Sequence, residues 1–129
     1  MELDFAKLDG LLPAIVQDAT TGEVLMLGFM NQQAYAETRA SDAVTFYSRS
    51  RNKLWKKGEQ SGHTLRVREV LVDCDADTVL VRVDPIGPGV CHEGYRSCFF
   101  RRLGADGAAS TVAERTFDPN AVYGEGTRK

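Results

Sequence analysis

The chain has 129 residues and a mass of 14.2 kDa, which suits one compact domain and excludes a second of ordinary size. Hydrophobic residues make up 43% and charged residues 26%, a balance that excludes wholesale disorder. Sixteen Lys and Arg against eighteen Asp and Glu give a formal charge of −2, whereas nucleic-acid binders usually carry a basic excess.

The first half of the chain predicts a hairpin, a helix and a third strand. Short apolar runs predict strands over residues 13–19 and 24–30, joined by a turn at residues 20–23. Asn31 is predicted to cap a helix that ends near residue 40. Residues 43–48 predict the next strand.

The second half predicts two further strands and a polar tail. Alternating Val and Leu predict strands over residues 64–72 and 78–84, with a turn between them. Residues 103–111 are small and polar and predict a loop, and residues 116–119 offer one additional edge strand. Residues 123–129 are predicted to fray. The fold class is therefore α+β, a small and mostly antiparallel sheet with one or two short helices.

The three cysteines are the most informative residues. The start of the chain lacks the pattern of a signal peptide, and no run approaches the roughly 20 apolar residues of a membrane span. We therefore expect a cytoplasmic protein with no membrane partner, in which Cys74, Cys91 and Cys98 stay reduced. Three thiolates can hold a tetrahedral Zn²⁺ and leave its fourth position for water. The alternative is that all three are small core residues.

An acidic cluster surrounds the first cysteine. In an extended segment Asp73, Asp75 and Asp77 project to one face and Cys74 to the other. Carboxylates on one face repel unless a cation lies among them, and Mg²⁺ prefers such oxygen ligands. A solvated turn, where Asp is common, is the alternative.

A cationic loop over residues 48–59 surrounds the single tryptophan, Trp55. Its five cations are Arg49, Arg51, Lys53, Lys56 and Lys57. Guanidinium groups, hydroxyls and an aromatic ring suit a phosphorylated ligand with a flat base. The alternatives are a loop for single-stranded nucleic acid, or a solvated face with the tryptophan in the core.

Several motifs occur in a fixed order along residues 14–102. They are residues 23–26 with 29–31, then 47–51, 54–59, 61–63, 73–77 and 91–99. This set resembles the phosphoribosyl-AMP cyclohydrolases, enzymes that open the adenine ring in histidine biosynthesis. The resemblance is to the stand-alone form, with the cyclohydrolase domain over residues 1–103 and a partly irregular tail over residues 104–129.

The resemblance implies a metal centre. It assigns zinc to Cys74, Cys91 and Cys98, and magnesium to Asp73, Asp75 and Asp77. It also implies a homodimer whose zinc sites combine thiolates from both subunits. Gln60 stands where the family often has Thr, and Glu93 where Thr is usual, so hydrogen bonding near the site is expected to differ.

The resemblance also implies a substrate and a reaction. The substrate is AMP with a second phosphoribosyl group on N1, which makes C6 more electrophilic. We hypothesise that a water activated at the zinc attacks C6, and that the N1–C6 bond then breaks. His92 is the first candidate for the general base and His63 the second. Candidate substrate contacts are Arg49, Arg51, Trp55, Lys57, Glu59 and Ser61.

Two other classes of protein were compared with this interpretation. A zinc-stabilised module that binds RNA or single-stranded DNA predicts a closed metal site, but the chain has no fourth cysteine. A nucleobase deaminase predicts H-x-E with P-C-x-x-C, and neither motif is present. The expected ligand is therefore a small nucleotide and not a nucleic acid.

Overall fold

A computed structural model of the chain describes residues 1–124, and these form eight strands and two helices. The elements are β1 Leu12–Asp18, β2 Val24–Met30, α1 Gln32–Ser41, β3 Thr45–Ser48, β4 Lys53–Lys56, β5 Leu65–Val72, β6 Val79–Pro85, β7 Arg101–Leu103, β8 Ala109–Thr111 and α2 Pro119–Tyr123. Most of the end predicted to fray, residues 125–129, lies outside the described residues. No helix in the described part is long and apolar enough to cross a membrane.

A four-stranded sheet in the order β2-β1-β6-β5 forms the centre of the fold. The β1–β2 and β5–β6 pairs are antiparallel, whereas β1 and β6 run parallel. Every second residue of β1 is buried, which places one face of that strand in the core. The predicted α+β class, with a mostly antiparallel sheet, is confirmed.

The helix α1 begins and ends as its local sequence dictates. The side chain of Asn31 accepts a hydrogen bond from the amide of Ala34 at 2.8 Å, which satisfies one free donor of the first turn. Asp42 adopts a left-handed conformation and ends the helix. The Thr38 hydroxyl accepts a bond from the amide of Thr45 at 3.0 Å and so joins the helix to β3.

The antiparallel β3–β4 hairpin packs against the core through aromatic side chains. Phe46 is fully buried, and its ring lies 5.0 Å from that of Trp55. A Cβ atom at Gly28 would lie 2.5 Å from the Phe46 ring, so only glycine lets β2 approach it this closely. The hairpin is therefore fixed beside β2, which positions its cationic residues next to the central sheet.

Three predictions about local structure were wrong. Part of the predicted cationic loop is the strand β4, paired with β3. The loop predicted over residues 103–111 contains the ends of the β7–β8 hairpin, whose residues are all exposed and so lack an apolar alternation. The edge strand predicted over residues 116–119 is absent from the described residues, because Asp118 caps α2 and Pro119 occupies its first turn.

Candidate active site

Two of the three cysteines lie in one tight loop, the thiolate loop, residues 91–98. Cys91 is buried and Cys98 is half-buried, and neither forms a disulfide. The amide of Cys91 donates to the carbonyl of Tyr95 at 3.0 Å, and that of Gly94 donates to the carbonyl of Cys91 at 3.0 Å. Gly94 has a φ of +97°, so the turn that pairs the two thiols requires glycine.

The thiolate loop is fastened to the β1–β2 hairpin. The amide of Cys98 donates to the carbonyl of Leu25 at 2.7 Å. The Ser97 hydroxyl donates to the carbonyl of Val24, also at 2.7 Å.

Arg96 adds ion pairs from the same loop to the turn of that hairpin. Its guanidinium pairs with Glu23 at 2.6 Å and with Asp18, whose side chain is only 5% exposed. Burial opposes ionisation of Asp18, but the amides of Thr20 and Thr21 together with Arg96 hold its pKa below the usual range. The buried carboxylate therefore stays charged and keeps Arg96 in place.

The two thiols and a buried lysine form an electrostatic unit. The hydrogen bond from Cys98 is the main cause that lowers the pKa of Cys91 to about 6, and the charge of Lys57 contributes. The same bond, with burial, raises the pKa of Cys98. Lys57 is 7% exposed, and its burial lowers the pKa of its ammonium group. Cys91 is therefore a thiolate near neutral pH, a donor suited to a soft cation.

A cavity of about 410 Å³ lies between the thiolate loop, β2 and the cationic segment. Its lining combines apolar, cationic and hydroxyl side chains. The lining residues are Met26, Leu27, Ser48, Ser50, Arg51, Trp55, Lys56, Lys57, Gly58, Glu59, Gln60, Ser61, His92, Cys98 and Tyr123. This mixture suits a phosphorylated ligand with an aromatic base.

The predicted substrate contacts divide into two groups. Five of them line the cavity: Arg51, Trp55, Lys57, Glu59 and Ser61. Arg49 is not among the lining residues described, and its guanidinium lies 4.2 Å from the ring centroid of Phe29. Trp55 both lines the cavity and packs against the core, so the two interpretations of the tryptophan are compatible.

The two histidines lie in different surroundings. His92 lines the cavity beside Cys98. His63 is not among the described lining residues, and its ring meets Phe117 edge-on at 4.8 Å. Within residues 1–124, the buried Nδ1 of His63 has no hydrogen-bond partner. These placements favour His92 over His63 as the group that contacts a ligand.

The acidic turn, residues 73–77, brings three carboxylates together. One oxygen from each of Asp73, Asp75 and Asp77 lies within 4.8 Å of the others. The segment is a turn, as predicted between the two strands, and Ala76 within it has a φ of +61°. The Lys7 ammonium lies 3.0 Å from both Asp75 and Asp77.

The three carboxylates of the acidic turn carry more negative charge than the one nearby lysine neutralises. The hydrogen bond from Lys7 lowers the pKa of Asp75. Lys7 acts in the same direction on Asp77, but the neighbouring Asp75 and Asp73 outweigh it and raise the pKa of that carboxyl. A single lysine therefore leaves excess negative charge, and the three carboxylates fit a divalent cation.

Cys74 lies apart from the other two thiols in this chain. It is exposed, and the three aspartates are the only group of three metal-ligating side chains in the described part of the chain. Cys91 and Cys98 could thus supply two donors to a metal, and within residues 1–124 Cys74 does not join them.

Several residues of the site were missed by the sequence analysis. Met26 and Leu27 line the cavity, but Met26 was noted only as part of the motif over residues 23–26 and Leu27 only as part of the apolar run of β2. Arg96 and Lys7 are held by ion pairs to residues far away in sequence. Tyr123 belongs to a tail that was predicted to be irregular.

The fold and the site define a small α+β protein in which a thiol, a histidine and cationic side chains line a nucleotide-sized cavity. The family model for phosphoribosyl-AMP cyclohydrolase matches residues 26–100. A phosphoribosyl-AMP cyclohydrolase of Solibacter usitatus is 59% identical over 124 residues, covering 96% of this chain and 98% of the relative. Those of Pelotomaculum thermopropionicum and Desulforapulum autotrophicum are 53% and 52% identical, with 96% and 95% of this chain and 97% and 98% of the relatives covered. The chain belongs to the phosphoribosyl-AMP cyclohydrolase family, hydrolases of histidine biosynthesis, and the predicted resemblance is confirmed.

Proposed function

We propose that the protein hydrolyses the N1–C6 bond of 1-(5-phosphoribosyl)-AMP and yields the formamidine-linked imidazole carboxamide ribonucleotide. The observation that carries this proposal is the cavity where the thiolate loop meets the cationic residues. The chain is also 59% identical to the phosphoribosyl-AMP cyclohydrolase of Solibacter usitatus. A cavity of about 410 Å³ suits a nucleotide, whereas a nucleic-acid strand needs an extended basic surface.

We propose that Cys91 and Cys98 bind zinc together with Cys74 of a second copy of the chain. The charged Cys91 thiolate fits such a metal, and the exposed position of Cys74 suits donation across a two-fold axis. When bound, zinc supplies a Lewis acid that lowers the pKa of water to about 7. The reduced thiols suit the cytoplasm, where we place the enzyme.

A homodimer is supported by an unusual exposed hairpin. Both strands of the β7–β8 hairpin are exposed along their whole length, and an isolated two-stranded hairpin is marginally stable in water. Leu103 is 73% exposed, and Phe99, two residues before β7, is 61% exposed. Burial of these side chains against a second copy would stabilise the hairpin.

The cationic side of the cavity provides the groups for the substrate's phosphates. Arg51 can pair with two oxygens of one phosphate, and Lys56 and Lys57 add charge. We place Mg²⁺ on the acidic turn, where it would orient or neutralise a phosphate. The indole of Trp55 provides a flat surface for the base at the same wall.

His92 is placed to move protons in the reaction. As a general base it takes a proton from the attacking water, whose oxygen bonds to C6. The N1–C6 bond then breaks as this oxygen becomes the carbonyl of the carboxamide, with one proton of the water delivered to N1 and the other to the exocyclic nitrogen on C6. The sequence departs from the family pattern at Gln60 and Glu93. Gln60 lies in the cavity wall and Glu93 follows His92 in the sequence, and neither replaces a proposed metal ligand.

The direct test is an assay of ring opening. The purified protein is incubated with the substrate, Zn²⁺ and Mg²⁺, and the ultraviolet absorbance of the purine is followed. We expect turnover that a strong chelator abolishes and that added zinc restores. No turnover in the presence of both metals, or retention of the protein on single-stranded nucleic acid with a steep salt dependence, would contradict the proposal.

A further inference from the structure

The segment that follows the β7–β8 hairpin contributes a residue to the cavity wall. This segment, the C-terminal strap, comprises residues 115–123 and ends in the short helix α2. Its last residue, Tyr123, lines the cavity together with His92, Cys98 and Trp55. The family model ends at residue 100, so the strap lies outside the part of the chain that it matches.

The strap is bound to the thiolate loop through the backbone. The amide of Thr116 donates to the carbonyl of Gly94 at 2.8 Å, and that of Phe117 donates to the same oxygen at 3.4 Å. The guanidinium of Arg115 donates to the carbonyl of Glu93 at 2.9 Å. A Cβ atom at Gly94 would lie 2.7 Å from the carbonyl oxygen of Phe117, so the close approach depends on glycine.

Aromatic contacts then lead from the loop to Tyr123. The Phe117 ring meets His63 at 4.8 Å on one side and Tyr123 at 6.5 Å on the other. Pro119 is buried, and the Asp118 side chain accepts a bond from the amide of Asn120 at 3.0 Å, which starts α2. These contacts hold α2, and Tyr123 with it, against the cavity.

The Tyr123 side chain brings a hydroxyl group to the cavity wall. Its side chain is half-buried, and residues 1–124 offer its hydroxyl no hydrogen-bond partner. A phenol at a cavity wall presents an apolar ring and a hydrogen-bond donor at once. The nearby cations and hydroxyls of the same cavity suit an oxygen-rich ligand, which would supply that partner.

We propose that Tyr123 is a substrate-binding residue whose hydroxyl donates a hydrogen bond to a ribose or phosphate oxygen of the nucleotide in this cavity. This inference rests on the proposed function for the identity of the substrate. It assigns a direct binding role to the strap and extends the site beyond the matched part of the chain. Tyr123 contributes to affinity and not to the chemical step, since the metal ligands and His92 are provided by other segments.

The test compares Tyr123→Phe with Tyr35→Phe. Each change removes one hydroxyl, but Tyr35 lies on α1, where its oxygen accepts a bond from Arg39 at 3.1 Å, and it does not line the cavity. We expect Tyr123→Phe to raise KM about tenfold with kcat little changed, the loss typical of one hydrogen bond to a ligand. Tyr35→Phe should leave both constants unchanged. Tyr123→Ala should raise KM further, because the ring is also lost.

Binding of AMP, measured by calorimetry, separates this proposal from the proposed function. We expect AMP to bind Tyr123→Phe several times more weakly than the wild-type protein. If the wild type binds AMP but does not open the substrate, and Tyr123→Phe still weakens AMP binding, the proposed function fails and the Tyr123 contact stands. Equal KM and equal AMP affinity in Tyr123→Phe and wild type would overturn the Tyr123 assignment. Absence of AMP binding to the wild type would also overturn it.

Discussion

The thiolate loop and the acidic turn are both candidate metal sites, but the structure prepares them differently. The thiolate loop is fixed to the β1–β2 hairpin by two backbone contacts and by the paired Arg96, and Cys91 is buried within it. The acidic turn is mostly exposed, and a lysine from the start of the chain lies among its carboxylates. One site is partly buried and held by hydrogen bonds and ion pairs, whereas the other is exposed and already partly neutralised.

This difference predicts how tightly each proposed metal would be held. A preorganised pair of thiols loses little conformational freedom when it binds a cation, and thiolates select zinc. A solvent-exposed group of carboxylates suits Mg²⁺, which keeps several waters and exchanges readily. We therefore expect zinc to copurify with the protein and Mg²⁺ to be required in the assay buffer.

The largest effect is expected from His92→Ala, which tests whether the thiolate loop also carries the catalytic base. We expect kcat to fall about 10²- to 10⁴-fold, with zinc content unchanged, since His92 is not a proposed metal ligand. The matched variant His63→Ala should reduce kcat much less, because His63 is not among the described residues of the cavity wall. Steady-state kinetics and metal analysis measure both. Full activity of the His92→Ala variant would show that His92 is not the general base.

An intermediate effect is expected from Arg96→Ala, which tests the preorganisation of the loop. The change leaves the buried Asp18 without its cation and loosens the segment that holds Cys98. Supporting residues around a metal site typically contribute about 10- to 100-fold to metal affinity, and we expect a loss of that size for zinc. Competition with a chromophoric chelator measures it.

The control for this change is Arg68→Ala, which removes an exposed ion pair with Asp84 and should leave zinc affinity unaltered. Equal zinc affinity in Arg96→Ala and wild type would show that the loop needs no such support.

The smallest effect is expected from Lys7→Ala, which tests whether the ammonium group of Lys7 competes with Mg²⁺ for the carboxylates of the acidic turn. Without the ammonium group, Mg²⁺ has no competitor, so its concentration for half-maximal activity should fall about two- to fivefold, as expected for exposed ion pairs. Lys7→Arg keeps the charge and should resemble the wild type. A higher Mg²⁺ requirement in Lys7→Ala would mean that the lysine assists the metal and does not compete with it.

The same contrast explains what could be predicted from the sequence. The strands with regular alternation and the helix capped by Asn31 follow from local patterns, and they were predicted to within a few residues. The β7–β8 hairpin was missed because its exposed residues carry no periodicity. The parallel pairing of β1 with β6 depends on contacts between residues more than sixty positions apart, which no local pattern encodes.

The candidate site was predicted only in part for a similar reason. Asp73 and Cys91 were proposed from the sequence because carboxylates and thiols are common metal ligands. Arg96 and Tyr123 have no such signature, since their roles follow from partners that the fold brings near. Supporting residues can therefore be identified only from the structure, whereas candidate metal ligands can be proposed from the sequence.

The most direct measurement of the central claim, that zinc is bound by thiolates from two chains, is a complementation experiment with Cys74→Ser and Cys98→Ser. Each variant alone should lack zinc and activity. Mixed in equal amounts after dissociation and reassembly, they form mixed dimers with one intact site, so about a quarter of wild-type activity should return. A mixture of Cys91→Ser and Cys98→Ser, whose lesions lie in the same loop, should stay inactive. No recovery in the first mixture, with mixed dimers demonstrated by mass spectrometry, would contradict the shared site.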